Sequence, residues 1–225
     1  MKAAPAALLF TVALAGAAAG FLAYRHHAAP APGPSSFAPA APWLTAPTAT
    51  PAPAIPAEVP DIQLGDLAGR PHSLRSEGRP QLFNFWATWC EPCRREIPLL
   101  NTLQDVYRAD GLQVVGIAVD FRDSVQTFLE TTKLHYTLLV GEEDGLEAAQ
   151  KFGMELLLPF SVFADQHNRI VAVKVGELHR DEADVIMANM RQLKAGRETL
   201  AEAQVAIAAT LKKLSLSRTK QSVPN

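Results

Sequence analysis

Cysteine is nearly absent from this chain: there are two in 225 residues, Cys90 and Cys93. With no second cysteine pair and no closely spaced histidine pair, no local motif supplies the four ligands of a zinc site. Haem attachment needs a histidine directly after the second cysteine, and Arg94 stands there instead. No lone cysteine stands in a context suited to a peroxidase. An excess of charge of one sign is missing too. Lys+Arg number 21 against 23 Asp+Glu, a net charge of −2, so neither nucleic acid nor another strong electrostatic partner is indicated.

What is present is a spacing. The two cysteines lie three positions apart in Phe85-Trp86-Ala87-Thr88-Trp89-Cys90-Glu91-Pro92-Cys93, after an apolar run and before a stretch with helical periodicity. Cys90 is thereby expected at the mouth of a strand and beside the first turn of a helix. Unpaired N–H groups and the positive end of the helix dipole favour a thiolate there. A thiolate attacks disulfides, so spacing and placement predict dithiol–disulfide exchange. A purely structural bridge is a weaker reading, because closing so short a loop removes little entropy from the unfolded chain. A copper-binding arrangement stays open if a remote histidine, such as His135, His167 or His179, joins the pair.

The N-terminal quarter does not look globular. Lys2 precedes an uncharged, mostly apolar stretch over 3–24, closed by Arg25-His26-His27, which is about the ~20 residues needed to cross a bilayer. Small residues at 15–19 would suit signal-peptide cleavage. Apolar character resumes at Phe21-Leu22-Ala23-Tyr24, however, and favours an uncleaved anchor over 1–27. Both readings place the rest of the chain outside the cytoplasm. A buried globular helix is disfavoured, because the segment has no polar face. Residues 28–57 are dominated by Pro and Ala. They read as a disordered tether reaching on the order of 90 Å when extended, or else as a dispensable insert.

Residues 58–195 read as one α/β domain. Strands are expected over 61–64 and 72–74 as a small hairpin, then over 81–86, 112–119, 136–140, 160–164 and 170–175, the last two around Asp165-Gln166-His167-Asn168. Helices are expected over 91–110, from a Ser124 cap to 132, over 144–152 and over 181–195. In the extension over 196–225, Leu200, Ala203, Ile207, Leu211 and Leu214 mark one face of a further helix, expected to pack back on the domain, and 218–225 looks like a frayed tail.

The segment from Asn84 to Cys93 resembles the active-site segment of the thioredoxin-like fold. More narrowly, the chain resembles the membrane-tethered TlpA/ResA-like thiol–disulfide oxidoreductases over roughly 61–193. The early hairpin with Gly69, the insert between the second strand and the later sheet, and Leu158-Pro159-Phe160-Ser161-Val162-Phe163 agree in order and spacing. The resemblance implies a thioredoxin-like three-layer sandwich with a mixed central sheet and an N-terminal β-hairpin; the extra C-terminal helix lies outside the family core.

By the same resemblance Cys90 is the exposed nucleophile, Cys93 the resolving thiol, Pro92 a backbone restraint and Pro159 the cis-proline beside the dithiol. Trp89 would flank the exposed sulfur, with Trp86 in the core. Glu91, between the cysteines, would raise the Cys90 pKa by repulsion and could relay protons, or it is a solvated first-turn acid. Two departures matter. Asn84 stands where thioredoxin usually has a buried Asp, so proton handling must fall to Glu91, water or another acid. Leu156-Leu157-Leu158 stand where relatives often carry glycine, as core residues or as an apolar lip for unfolded substrate.

The implied activity is reduction of protein disulfides at the periplasmic face of the inner membrane, or in the periplasm after cleavage. Apocytochrome c is among the candidate substrates, and a membrane thiol-reducing protein would supply electrons. No cofactor and no metal is called for. A disulfide-donating oxidase and a non-enzymatic metallochaperone remain the alternatives.

Overall fold

The computed structural model describes residues 55–155 and 157–221. The expected anchor, most of the tether, Leu156 and the last four residues lie outside that range. Among the described residues no helix is long and apolar enough to cross a membrane.

The chain opens with a hairpin of β1 (Gln63–Gly65) and β2 (Pro71–Ser73). It continues through β3 (Gln81–Trp86), α1 (Glu91–Tyr107), a 3-10 turn (Arg108–Asp110), β4 (Gln113–Ala118), α2 (Arg122–Leu129) and β5 (Thr137–Val140). Then come α3 (Glu142–Lys151), β6 (Phe160–Ala164), β7 (Ile170–Val175), α4 (Arg180–Lys194) and α5 (Leu200–Gln221). The main sheet runs β5-β4-β3-β6-β7. β3 pairs parallel with β4, and β4 with β5, while β6 lies antiparallel to both β3 and β7. This is the mixed sheet expected from the sequence. The central strands are covered on both faces, which is why they read as continuous apolar runs.

Alternation in β3 divides the core. Phe83 and Phe85 face the hairpin and α3, where they pack with Ala148, Ala149 and Phe152. Leu82 faces the other layer, in a cluster with Leu100 and Leu103 of α1, Ile186 and Met187 of α4, and Ala203 and Ile207 of α5. Gly116 of β4 is on this second face, and no side chain fits there: a Cβ would sit 2.8 Å from the Tyr136 ring. The helix outside the family core thus packs on its own domain, and Gln204 adds a hydrogen bond from Nε2 to the Ile170 carbonyl at 2.9 Å.

Two expectations are corrected. Ser124 does not cap α2; Phe121 does, in extended conformation, and Ser124 lies in the first turn. The helix starts early because the Asp120 carboxylate accepts the Phe121 N–H at 2.8 Å. The residues from 218 do not fray at once either. Helix α5 runs to Gln221, with Arg218 bonded to Glu182 at 2.7 Å and paired with Asp181.

Candidate active site

Strand β3 ends at Trp86, and the chain turns through Ala87, Thr88 and Trp89 into α1. Asp120, just past β4, holds this turn. Its Oδ2 accepts from the Thr88 N–H at 2.8 Å and from the Thr88 hydroxyl at 2.6 Å. Cys90 follows as the N-cap of α1, with no side-chain cap bond of its own. Its sulfur is therefore left to pair with Cys93, and the two form a disulfide with Cα atoms 5.3 Å apart. The pair is asymmetric: Cys90 is 6% exposed and Cys93 is fully buried. The free N–H groups of the first turn favour the thiolate form of the outer sulfur after reduction. Pro92 sits in that turn, where its missing donor costs nothing.

One turn beyond Cys93 on the same helix is Glu96, whose side chain is almost wholly buried. Its Oε1 accepts from Asn84 Nδ2 at 2.7 Å, and its Oε2 from the Leu178 N–H at 2.6 Å. Asn84 Nδ2 also donates to Ser161 Oγ at 3.1 Å. Burial raises the Glu96 carboxyl to about 7, and Glu177 adds to the rise; the bonds from Leu178 and Asn84 and the charge of Lys174 act against it. A carboxyl raised toward neutrality suits a group that takes and returns a proton. Burial, helped by the charge of Glu96, also pushes the Tyr136 phenol up.

Sequence reasoning asked for an acid near the dithiol without locating this one. The helical offset of three from Cys93 was its one visible signal. Asp120 was missed as well, since an Asp after a strand looks like any loop residue. Glu91 lies elsewhere: its carboxylate is 73% exposed and pairs with Arg95 at 3.0 Å, and Arg95 in turn pairs with Glu177 at 2.7 Å. Trp86 is buried and Trp89 is 65% exposed. Trp89, Thr88, Val119, Asp120, Phe121 and Leu146 help line a cavity of about 410 Å³ beside the Cys90 turn.

The Leu158–Pro159 bond is cis. Leu158 packs partly buried against the cluster that contains both cysteines, while Leu157 is exposed. Of the remote histidines, His135 pairs with Asp105, His167 lies in the β6–β7 turn and His179 caps α4. Among the described residues no group of three or more His, Cys, Asp or Glu is placed to hold a metal ion.

A family profile described as Redoxin matches residues 55–188. The chain is 29% identical over 131 residues to the thiol-disulfide oxidoreductase ResA of Geobacillus thermodenitrificans, covering 57% of this chain and 74% of that one. It is 33% identical over 132 residues to the thioredoxin-like protein YneN of Bacillus subtilis, with 56% and 75% covered. Among solved structures, a thiol:disulfide interchange protein of the thioredoxin family from Chlorobium tepidum superposes with a TM-score of 0.51 at 28% identity, covering 58% of this chain and 93% of that one. The chain therefore belongs to the redoxin family, and it is a ResA-like, thioredoxin-fold thiol–disulfide oxidoreductase with Cys90 and Cys93 as its redox pair.

Proposed function

We propose that this oxidoreductase works as a reductase of protein disulfides outside the cytoplasm. The Cys90 thiolate attacks one sulfur of a substrate disulfide; a mixed disulfide forms, and the displaced substrate sulfur leaves as a thiolate that takes up a proton. Cys93 then gives its proton to the Glu96 carboxylate and attacks the Cys90 sulfur. The mixed bond breaks, the second substrate sulfur leaves and is protonated, and the enzyme holds the Cys90–Cys93 disulfide. Two electrons and two protons have passed to the substrate. The dithiol is itself the redox group, so this chemistry needs no cofactor.

The observation that carries this reading is the buried carboxyl of Glu96 one turn from the fully buried Cys93. In the reducing direction Cys93 begins as a thiol in apolar surroundings and must lose its proton there, which calls for a nearby acceptor with a matched pKa. The exposed ring of Trp89 and the cavity it lines with Phe121 offer apolar contact for an extended substrate segment next to Cys90. Location, tether and partners rest on the sequence: an apolar stretch over 3–24 and a Pro/Ala-rich spacer over 28–57 fit an inner-membrane anchor with the domain in the periplasm. There a membrane thiol-reducing protein would restore the dithiol, and apocytochrome c is a candidate substrate.

The experiment is capture of the substrate. A Cys93→Ser chain should accumulate mixed disulfides through Cys90; if nothing becomes linked, the exchange mechanism is wrong. Equilibration with glutathione tests direction, and a strongly oxidising potential would overturn the reductase reading.

A further inference from the structure

Of four consecutive residues after β7, the first three touch the site and the fourth ties them to α4. The Gly176 N–H donates to the Pro159 carbonyl at 2.8 Å. Glu177 binds Arg95, which also holds Glu91. The Leu178 N–H binds Glu96. The His179 N–H binds Glu182 Oε2 at 3.0 Å. This turn is thus a strap across the dithiol end of the sheet, and its far end is fixed by Glu182, which is only 1% exposed.

One of the groups that hold Glu182 comes from outside the redoxin match. Arg218 Nη1, on α5, donates to Glu182 Oε1 at 2.7 Å, and the same guanidinium pairs with Asp181. Lys174 Nζ, on β7, lies 3.6 Å from that Oε1. Lys174 Nζ also donates to the Val175 carbonyl at 3.0 Å, and its charge acts to lower the Glu96 pKa. In β7 it is also the register partner of Ser161, which accepts from Asn84.

We propose that Arg218 is a positioning residue for the dithiol chemistry: by satisfying Glu182 it leaves Lys174 and the strap free to hold Glu96 in place beside Cys93. Without Arg218, Lys174 becomes the cation that must serve Glu182 and is drawn away from Glu96. The strap loosens at the same time, and the bond from Leu178 weakens. Both changes favour the protonated form of Glu96. Of the other titratable groups, Glu177 in the strap raises Glu96, and Tyr136 ahead of β5 is itself pushed up by Glu96; neither pairs with Arg218. The proposal rests on Glu96 being the proton acceptor for Cys93.

The test uses the full-length reduced chain and the aromatic disulfide 5,5′-dithiobis(2-nitrobenzoate), whose second released thiolate reports resolution by Cys93. The rate of that phase is followed from about pH 5 to about pH 9. Arg218→Met should move its inflection upward by about half to one unit and slow the phase at neutral pH roughly three- to tenfold. Arg218→Lys should restore most of the rate, and Lys174→Met, which leaves α5 untouched, should shift the inflection the same way. In a Glu96→Gln background Arg218→Met should shift nothing. An unmoved inflection in Arg218→Met or Lys174→Met, while Glu96→Gln still abolishes it, overturns the coupling alone. An inflection that survives Glu96→Gln overturns the proton-acceptor role and the coupling together.

Discussion

The two faces of β3 are built from opposite materials. On one, Phe85 stacks on Phe160 with ring centroids 4.2 Å apart and meets Phe152 edge-on at 5.6 Å. Beyond Gln81 at the strand's start, whose buried Oε1 has no hydrogen-bond partner among the described residues, the packing there is apolar. On the other, Asn84 ties Glu96 to Ser161, and Asn84 Oδ1, Trp86 Nε1 and Tyr136 Oη have no hydrogen-bond partner among the described residues. A fold that needed only stability would fill this second face with leucine, as it does at Leu82. The polar atoms gather where the dithiol needs a proton acceptor, one strand position before Phe85. The same strand thus stabilises through one face and does chemistry through the other.

Substitutions on each face should separate the two roles. Phe85→Ala should cost about 3–5 kcal/mol of stability. Urea unfolding reads that loss, and the pH at which the resolving step inflects should stay put. On the polar face Glu96→Gln should act in the opposite sense. The folded chain raises Glu96 from 4.5 to about 7, so it holds that proton more tightly than the unfolded chain does. The resulting stabilisation is complete below about pH 4.5 and is lost as the pH rises through 7. Relative to the unaltered chain, Glu96→Gln should gain up to roughly 3 kcal/mol between those limits. Unfolding midpoints that keep a constant difference across that window would refute the assignment.

Asn84→Ala removes a donor to Glu96 and should cost about 1–3 kcal/mol, with the inflection moving upward; a downward move would contradict the geometry. Ser161→Ala should cost about 1 kcal/mol and shift the inflection slightly. Least of all, Glu91→Gln should leave stability and the inflection unchanged, because the Glu91 carboxylate faces solvent and Arg95. A profile that follows Glu91 rather than Glu96 would transfer the proton role to the residue between the cysteines.

Local patterns were legible in the sequence, and contacts across the sheet were not. The observed limits of β3, β6 and β7 coincide with the expected ones, since apolar runs bounded by Gly, Pro and Asp-Gln-His-Asn turns mark both ends of a buried strand. The spacing of Cys90 and Cys93 speaks for itself. Glu96 does not. In an amphipathic helix an acid usually faces water, and only the bonds from Asn84 on β3 and from the Leu178 N–H show that this one points inward. The length of α5 was hidden for the same reason. Arg218 reads as tail until its acidic partners, 36 and 37 residues earlier, are seen beside it.

The first described residues are stitched to the β6–β7 turn: the Val59 N–H donates to the Asn168 carbonyl, and the Ala57 carbonyl accepts from Ile170 N–H. That turn lies by Ala164, which pairs with Gln81 at the start of β3, whereas the dithiol lies beyond Trp86 at its finish. At about 3.3 Å per residue, the strand separates the two ends by roughly 20 Å. The chain is therefore moored at one pole and armed at the other. Cys90 thus sits at the far pole from the contacts made by residues 57 and 59.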